Sequence, residues 1–236
     1  MRPPSLPLLF GREVRRIHCV GVGGMGVGPL AIYLAQLGFD VTGEDDALAK
    51  DMGALLARER VAVTSLPADC DLVVYSSAIA KGHPVHSAAV ARKIPVVRRG
   101  ELLAEVVRDK KLVAICGSHG KTTTTAMVVA ALRHAHFSAG YVLGGIFADD
   151  TPPARAGSSD WVVAEIDESD GTIDRFSPEI TLVVNLDWDH SDFYRKASDL
   201  EATFAALLER TRRAVLIGDA CMMTSRVLAR TGEGRV

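Results

Sequence analysis

The sequence predicts an α/β protein in which helices connect the strands of two parallel sheets. Short apolar runs alternate with segments of helical period along the 236 residues, and this alternation is typical of parallel sheets. Two glycine-rich loops, 21–28 and 117–122, each follow an apolar run and precede a helical segment. The charged stretch 109–111 lies between the two halves, so we expect one domain over 1–110 and a second over 111–236.

The first half contains five apolar runs, and the residues between them have helical spacing. The first run leads into the first glycine loop, and the first helix leaves it. We expect strands over 16–22, 40–43, 62–64, 71–75 and 95–97. We expect helices over 27–37, 47–60, 86–93 and 101–108, the last being a short connection to the second half.

The second half repeats this alternation, beginning with the run that leads into the second glycine loop. We expect strands over 112–116, 140–143, 161–166, 180–185 and 214–217. We expect helices over 122–135 and 200–210, and a last helix that begins near Asp219. Residues 151–159 are rich in Pro, Gly and Ser and predict a loop. Because no strand follows the last helix, we expect the second domain to be incomplete in this chain.

Composition excludes several classes of protein. Hydrophobic residues make up 48% and charged residues 24%, as in an ordinary soluble protein. With 27 basic and 29 acidic residues and 6% aromatics, we expect neither nucleic acid nor a membrane surface as partner. No apolar stretch is long enough to span a bilayer. Scattered cysteines without a chelating pair favour reduced thiols and a cytoplasmic location; they are Cys19, Cys70, Cys116 and Cys221.

The first glycine loop has the spacing G-x-G-x-x-G at Gly21, Gly23 and Gly26. Glycine allows positive φ and lets the backbone approach an anion, and the following helix presents free N–H groups to a diphosphate. We therefore expect a nucleotide or diphosphate here, the alternative being a tight turn that binds nothing. Asp45 follows the next strand, where a carboxylate can accept ribose hydroxyls or can simply lie exposed in a turn.

The second loop, 117–122, reads Gly-Ser-His-Gly-Lys-Thr and is followed by three more threonines. Lys121 can reach β- and γ-phosphates, Thr122 can ligate Mg²⁺, and the amides from Ser118 to Lys121 can cradle phosphate. The strict G-x-x-x-x-G-K-[ST] pattern fails because Ile115 stands in place of its first glycine. The loop is thus a shortened relative of that pattern, and it predicts ATP with Mg²⁺ as ligands.

Polar groups follow two later strands, where Mg²⁺ ligands of an ATP site usually lie. Glu165 ends an apolar run and the acidic stretch 167–170 follows it; that stretch is either part of the site or a solvated loop. Asn185 ends the next strand, and His190 comes five residues later. His190 can enter a metal shell or orient substrate, although a lone histidine is more often structural.

Six segments together resemble the Mur ligases of bacterial cell-wall synthesis. They are 17–26, 75–79, 94–105, 117–125, 164–170 and 185–190, and their order and spacing cover nearly the whole chain. The resemblance implies a Rossmann-like domain that binds a UDP-sugar rather than NAD, followed by a P-loop-type α/β ATPase domain. It also implies an ATP-dependent amide ligase that joins L-alanine to UDP-N-acetylmuramate through an acyl phosphate, with Mg²⁺ as cofactor. No protein partner is implied.

The resemblance also implies a role for each matching residue. Those facing the UDP-sugar would be Gly23, Gly24, Met25, Gly26, Asp45, Ser76, Ser77 and Arg99. Those holding ATP would be Gly117, Ser118, His119, Gly120, Lys121, Thr122, Thr123 and Asn185. Thr122 and Glu165 would share one Mg²⁺, and His190 a second that bridges to the substrate carboxylate. Lys121, Glu165 and His190 would be the catalytic groups.

Some residues depart from the family pattern, notably Glu44 and the triplet 171–173. A related ligase that attaches a preformed peptide therefore remains an alternative. Because the family's amino-acid-binding domain has no counterpart here, a non-catalytic UDP-sugar-binding remnant is another, and we expect these residues alone not to complete ligation. An NAD(P)-linked oxidoreductase is disfavoured because it would leave the second loop unexplained.

Overall fold

The computed structural model describes residues 8–76, 79, 82–168, 171–188, 194–218 and 221–231. The chain forms two compact units, one of Met1–Val106 with Gly144–Ala156 and one of Val107–Leu143 with Gly157–Val236. Each contains a sheet of parallel strands connected by helices, so the predicted α/β class is confirmed. The segment Gly144–Ala156 groups with the first unit, although it follows the boundary expected at 110/111.

The first unit is built on five parallel strands in the order β3-β2-β1-β4-β5. The strands are β1 Arg16–Val20, β2 Asp40–Glu44, β3 Ala62–Val63, β4 Leu72–Tyr75 and β5 Val96–Arg98. The helices are α1 Val27–Gln36, α2 Lys50–Arg58, α3 Pro84–Ala91 and α4 Arg99–Val106. Val85 and Ala89 of α3 pack with Val20 and Val73 in a buried cluster, so the strands lie in the interior.

The second unit contains parallel strands in the order β11-β10-β6-β9-β7. Its strands are β6 Lys111–Cys116, β7 Gly140–Val142, β9 Trp161–Glu165, β10 Ile180–Val183 and β11 Ala214–Ile217; β8, Ala154–Arg155, belongs to the segment that groups with the first unit. Its helices are α5 Lys121–His134, α6 Ala197–Arg210 and α7 Met222–Arg230, with a 3₁₀ turn at Ile173–Arg175. Phe204 and Leu207 of α6 are fully buried, as are Ile115 and Val163 in the sheet.

The structure differs from the sequence prediction at a few places. Strand β8 lies inside the predicted loop 151–159, because Ala154 is fully buried and continues extended backbone. Helix α4 begins two residues early, at Arg99. Helix α7 begins at Met222 rather than near Asp219, and Cys221 caps it by accepting a hydrogen bond from the Thr224 amide. In the part of the chain that is described, no helix is long and apolar enough to cross a membrane.

Candidate functional sites

The glycine loop of the first unit turns sharply at the end of β1. Gly21 has φ of +79°, and the amides of Gly21 and Val22 both donate to the carbonyl of Glu44, at 2.8 and 3.2 Å. Helix α1 then starts so close to the strand that a Cβ on Gly28 would lie 2.7 Å from the Val22 carbonyl oxygen. Glycine is therefore required here, and the loop holds the helix N-terminus directly above the sheet edge.

Asp45 lies against this loop and holds it. One carboxylate oxygen accepts the Gly23 amide and the other accepts the Ala47 amide, both at 2.9 Å. The sequence predicted a contact to ribose hydroxyls for Asp45; in the structure it anchors the loop and the turn that leads to α2. Each carboxylate oxygen has a further lone pair, so the group can still accept a hydroxyl.

The other residues expected to face the UDP-sugar come from neighbouring parts of the same unit. A Cβ on Gly26 would lie 3.2 Å from Cδ of Arg99, and one on Gly21 would lie 3.9 Å from Cβ of Ser76. Gly24 is exposed and Met25 half-buried on the same loop. Tertiary structure thus places the Arg99 side chain beside the N-terminus of α1, where anions bind. Ser77 lies outside the described residues.

The phosphate-loop candidate of the second unit connects β6 to α5. Gly117 has φ of +126° and Gly120 has φ of +78°. A Cβ on Gly117 would lie 2.5 Å from the carbonyl oxygen of Asn185, so only glycine fits. Because the first amides of a helix lack partners within the helix, α5 presents its amides and its positive dipole end at this loop.

Two amides predicted to cradle phosphate are already bonded within the protein. The Ser118 amide donates to the Asn185 carbonyl at 3.2 Å, and the His119 amide donates to Asn185 Oδ1 at 2.8 Å. The Asn185 side chain also donates to the His119 carbonyl at 3.0 Å. If phosphate binds at this loop, we therefore expect the later amides, those of Gly120 and Lys121, to donate to it. Asn185 holds the loop through its two hydrogen bonds to the His119 backbone.

Asp187, which the sequence did not single out, forms a second set of hydrogen bonds to the loop. The Ser118 hydroxyl donates to the Asp187 carbonyl, and the Asp187 amide donates to the Ser118 hydroxyl, both at 2.9 Å. The imidazole of His119 is exposed, and its Nε2 lies 3.9 Å from Oδ2 of Asp187. Reciprocal bonds of this kind fix the loop to the segment after β10.

The candidate Mg²⁺ ligands lie side by side. Register pairs Ile115 with Glu165 across β6 and β9, so Glu165 lies at the sheet edge from which the phosphate loop leaves. The Thr122 hydroxyl donates to Oε2 of Glu165 at 2.9 Å. A hydroxyl and a carboxylate oxygen this close to the helix start are ligands of the kind that Mg²⁺ prefers, and the pair fits such an ion.

Lys121 bends back towards its own loop. Its Nζ donates to the Gly117 carbonyl at 2.6 Å and lies 3.4 and 3.3 Å from the two carboxylate oxygens of Glu168. Burial raises the pKa of Glu168, and the Lys121 charge opposes that shift. The sequence placed Glu168 in an acidic stretch, but only burial distinguishes it from a solvated carboxylate. Thr123, also expected to hold ATP, is exposed.

His190, which was predicted to bind a metal ion, lies outside the described residues, as does Asp170 of the acidic stretch. Across the described ranges, which omit 189–193, no group of three or more His, Cys, Asp or Glu side chains is arranged to hold a metal ion. The Thr122–Glu165 pair is thus the described part of the candidate metal site.

Two family models match the chain in succession. The model described as the catalytic domain of the Mur ligase family matches residues 16–111, and the Mur ligase middle domain matches residues 115–231. The first therefore covers the glycine loop with Asp45 and Arg99, and the second covers the phosphate loop with Glu165 and Asn185.

Curated relatives at about 40% identity share one name. UDP-N-acetylmuramate–L-alanine ligase of Bdellovibrio bacteriovorus is 41% identical over 195 residues, which is 80% of this chain and 43% of the relative. The enzyme of the same name from Rhodopseudomonas palustris is 40% identical over 204 residues, 84% of this chain and 43% of the relative. The chain thus spans less than half the length of these relatives.

Solved structures show the same fold. UDP-N-acetylmuramate–alanine ligase from Thermotoga maritima superposes with a TM-score of 0.82 at 28% identity, covering 90% of this chain and 51% of that one. A ligase from Neisseria meningitides that acts on UDP-N-acetylmuramate and L-alanyl-γ-D-glutamyl-meso-diaminopimelate superposes with a TM-score of 0.84 at 22% identity, covering 94% of this chain and 77% of that one. With two successive domain models and relatives at about 40% identity, the chain belongs to the Mur ligase family.

Proposed function

We propose that the chain carries the ATP site and the UDP-sugar site of an ATP-dependent ligase that joins L-alanine to UDP-N-acetylmuramate. The observation that supports the ATP site most directly is the Thr122–Glu165 contact of 2.9 Å at the start of α5, beside Lys121. The names of the relatives support the choice of substrates. The four free thiols favour the reducing cytoplasm as its location.

In the proposed ATP site the second unit supplies three kinds of group. The amides at the N-terminus of α5 donate to phosphate oxygens, Lys121 compensates charge on the β- and γ-phosphates, and Asn185 keeps the loop in shape. Thr122 and Glu165 would hold Mg²⁺. When bound, Mg²⁺ neutralises charge that accumulates on the phosphates during transfer.

In the proposed UDP-sugar site the first unit binds the diphosphate. The glycine loop and the N-terminus of α1 offer amides to the phosphates, and the guanidinium of Arg99, which lies against Gly26, adds positive charge. Asp45 keeps Gly23 in place and can accept a ribose hydroxyl. Ser76 lies at the end of the neighbouring strand β4.

The chemistry that this family assignment implies explains why such groups are needed. A carboxylate is a poor electrophile, so ATP first converts it to an acyl phosphate, and the amine of L-alanine then attacks and displaces phosphate. Negative charge gathers on the transferred phosphoryl group during the first step, so cationic and N–H donors near it lower the barrier. Lys121 is the cation that this chain offers in the phosphate loop.

The ATP site is tested by calorimetric titration of ATP with and without Mg²⁺. We expect Thr122→Val and Glu165→Gln each to weaken binding of MgATP by roughly tenfold or more, because the first removes a hydroxyl ligand and the second removes the negative charge of a carboxylate ligand. Thr124→Val, on the same helix but without a proposed role, is the matched control and should bind as the unchanged protein does. Absence of ATP binding, or binding that does not depend on Mg²⁺, would overturn this site.

The UDP-sugar site is tested separately with UDP-N-acetylmuramate. Gly24 is exposed on the glycine loop, so Gly24→Asp places a carboxylate beside the expected diphosphate and should abolish binding by charge repulsion. Equal affinity in both proteins would remove the assignment. Addition of L-alanine and ATP then tests ligation itself, which we expect these 236 residues not to complete.

A further inference from the structure

An ion pair between the half-buried Lys121 and the buried Glu168 joins the phosphate loop to the segment after β9. The ammonium of Lys121 has three N–H donors, and three acceptor atoms surround it: the Gly117 carbonyl oxygen and both carboxylate oxygens of Glu168. The cation expected to meet β- and γ-phosphates therefore has an acceptor within the protein for each of its three N–H groups.

The carboxylate of Glu168 is buried and therefore needs a positively charged partner. Its side chain is only 1% exposed, and a carboxylate so buried is costly unless a cation compensates it. From the other side, the hydroxyl of Tyr194 donates to the Glu168 main-chain carbonyl at 3.0 Å, and Tyr194 is itself buried. The backbone at Glu168 is thus held in place, and Lys121 pairs with its carboxylate at 3.3 Å.

We propose that Glu168 is a positioning residue that competes with the nucleotide for Lys121. It holds the ammonium inside the loop, and the terminal phosphates must draw at least one N–H away from it on binding. This inference rests on the proposed ATP site. It adds that the affinity for ATP is held down by a carboxylate of this chain, which favours release of nucleotide after phosphoryl transfer.

The competition predicts the direction in which a neutral isostere changes binding. Glu168→Gln keeps the shape and one acceptor for Lys121 but removes the opposing charge, so Lys121 is released more readily to phosphate. We expect MgATP to bind about tenfold tighter to this variant, the change produced by loss of one charge-assisted contact on the unbound side. AMP, which lacks the phosphates that Lys121 reaches, should show no change.

The matched control is a second buried glutamate of the same unit. Glu201 is 5% exposed in its side chain and pairs with Arg226 and Arg230 at 3.5 and 3.0 Å, on the helices α6 and α7. We expect Glu201→Gln to lower the thermal unfolding temperature without changing ATP affinity. Thermal unfolding of Glu168→Gln itself shows whether that variant is folded, and Glu168→Asp, with a shorter reach to Lys121, should bind MgATP with intermediate affinity.

Titrations of MgATP and AMP into the unchanged protein and these variants test whether Glu168 competes with the nucleotide for Lys121. Tighter binding of MgATP alone in Glu168→Gln supports competition. Weaker binding would mean that Glu168 assists Lys121 in the complex, and unchanged binding would mean that the pair is purely structural; either result overturns the inference while the ATP site stands. If the unchanged protein binds no ATP, both the site and this inference fail.

Discussion

Asn185 offers the sharpest test of how this phosphate loop is built. Its side-chain amide accepts from the His119 amide at 2.8 Å and donates to the His119 carbonyl at 3.0 Å. Asn185→Leu keeps a similar volume and removes both bonds, whereas the main-chain bond from the Ser118 amide can remain. A hydrogen bond of this kind contributes about 1 kcal/mol net, and partial exposure of the loop reduces that figure.

The loss of two such bonds removes about 1–2 kcal/mol of loop ordering, which corresponds to roughly five- to thirtyfold weaker binding of MgATP. The readout is calorimetric titration with both MgATP and inorganic tripolyphosphate. If Asn185 acts through the loop, both ligands lose affinity by a similar factor, because both use the same phosphate cradle.

A matched control is Thr211→Val, which removes a buried hydrogen bond to Thr181 of 2.6 Å far along the chain from the loop. That variant should unfold at a lower temperature and bind MgATP normally. If Asn185→Leu binds tripolyphosphate normally but binds ATP more weakly, Asn185 contacts the nucleoside directly, and the idea that it acts by ordering the loop is wrong. Normal binding of both ligands would mean that the loop needs no clamp.

Two further predictions concern the first unit. Gly28→Ala places a Cβ 2.7 Å from the Val22 carbonyl oxygen and should destabilise the protein by about 1–3 kcal/mol, measured by urea unfolding. It should also weaken UDP-N-acetylmuramate binding, measured by calorimetry. Gly53→Ala, which would meet only the flexible end of Leu48 at 3.3 Å, is the control and should be at least as stable, so equal loss in both would contradict the close approach. The pKa of His18 is lowered because its fully buried ring is desolvated, against the opposing charge of Glu44. The stability that neutral His18 contributes is therefore present above its unfolded pKa of about 6.5 and is lost as pH falls, by at most about 1.4 kcal/mol per pH unit. The free energy of unfolding should differ less between pH 7 and pH 5 in His18→Gln, and an unaltered difference would refute this. His134→Gln, at an exposed histidine, is the control and should behave as the unchanged protein.

Local sequence was sufficient to predict the two loops and the strands and helices beside them. Glycine spacing after an apolar run leaves few backbone choices, because φ must be positive at Gly21, Gly117 and Gly120. The helices that follow begin where the loops end. Strand β8 was missed because two residues carry too little pattern, and burial of Ala154 is a property of the folded chain.

The candidate ATP site likewise has residues that the sequence predicted and residues whose roles depend on the tertiary structure. Lys121 and Thr122 were predicted from the pattern of the glycine-rich loop. Glu165 was predicted from its position at the end of a strand, since the carboxyl ends of neighbouring parallel strands meet at one edge. The roles found for Asn185 and Glu168 depend on residues 66 and 47 positions away in sequence. No local pattern specifies which carbonyl or ammonium such a side chain will meet.

The sequence alone thus determined the fold class, the two glycine-rich loops and the residue types around them, because these follow from backbone sterics and hydrophobic spacing over short distances. Only the tertiary structure decided which polar groups are already engaged: Asp45 with Gly23, Asn185 with His119, and Glu168 with Lys121. Such partners are chosen by burial, since a charged or polar group removed from water must find a counterpart wherever the packed chain provides one.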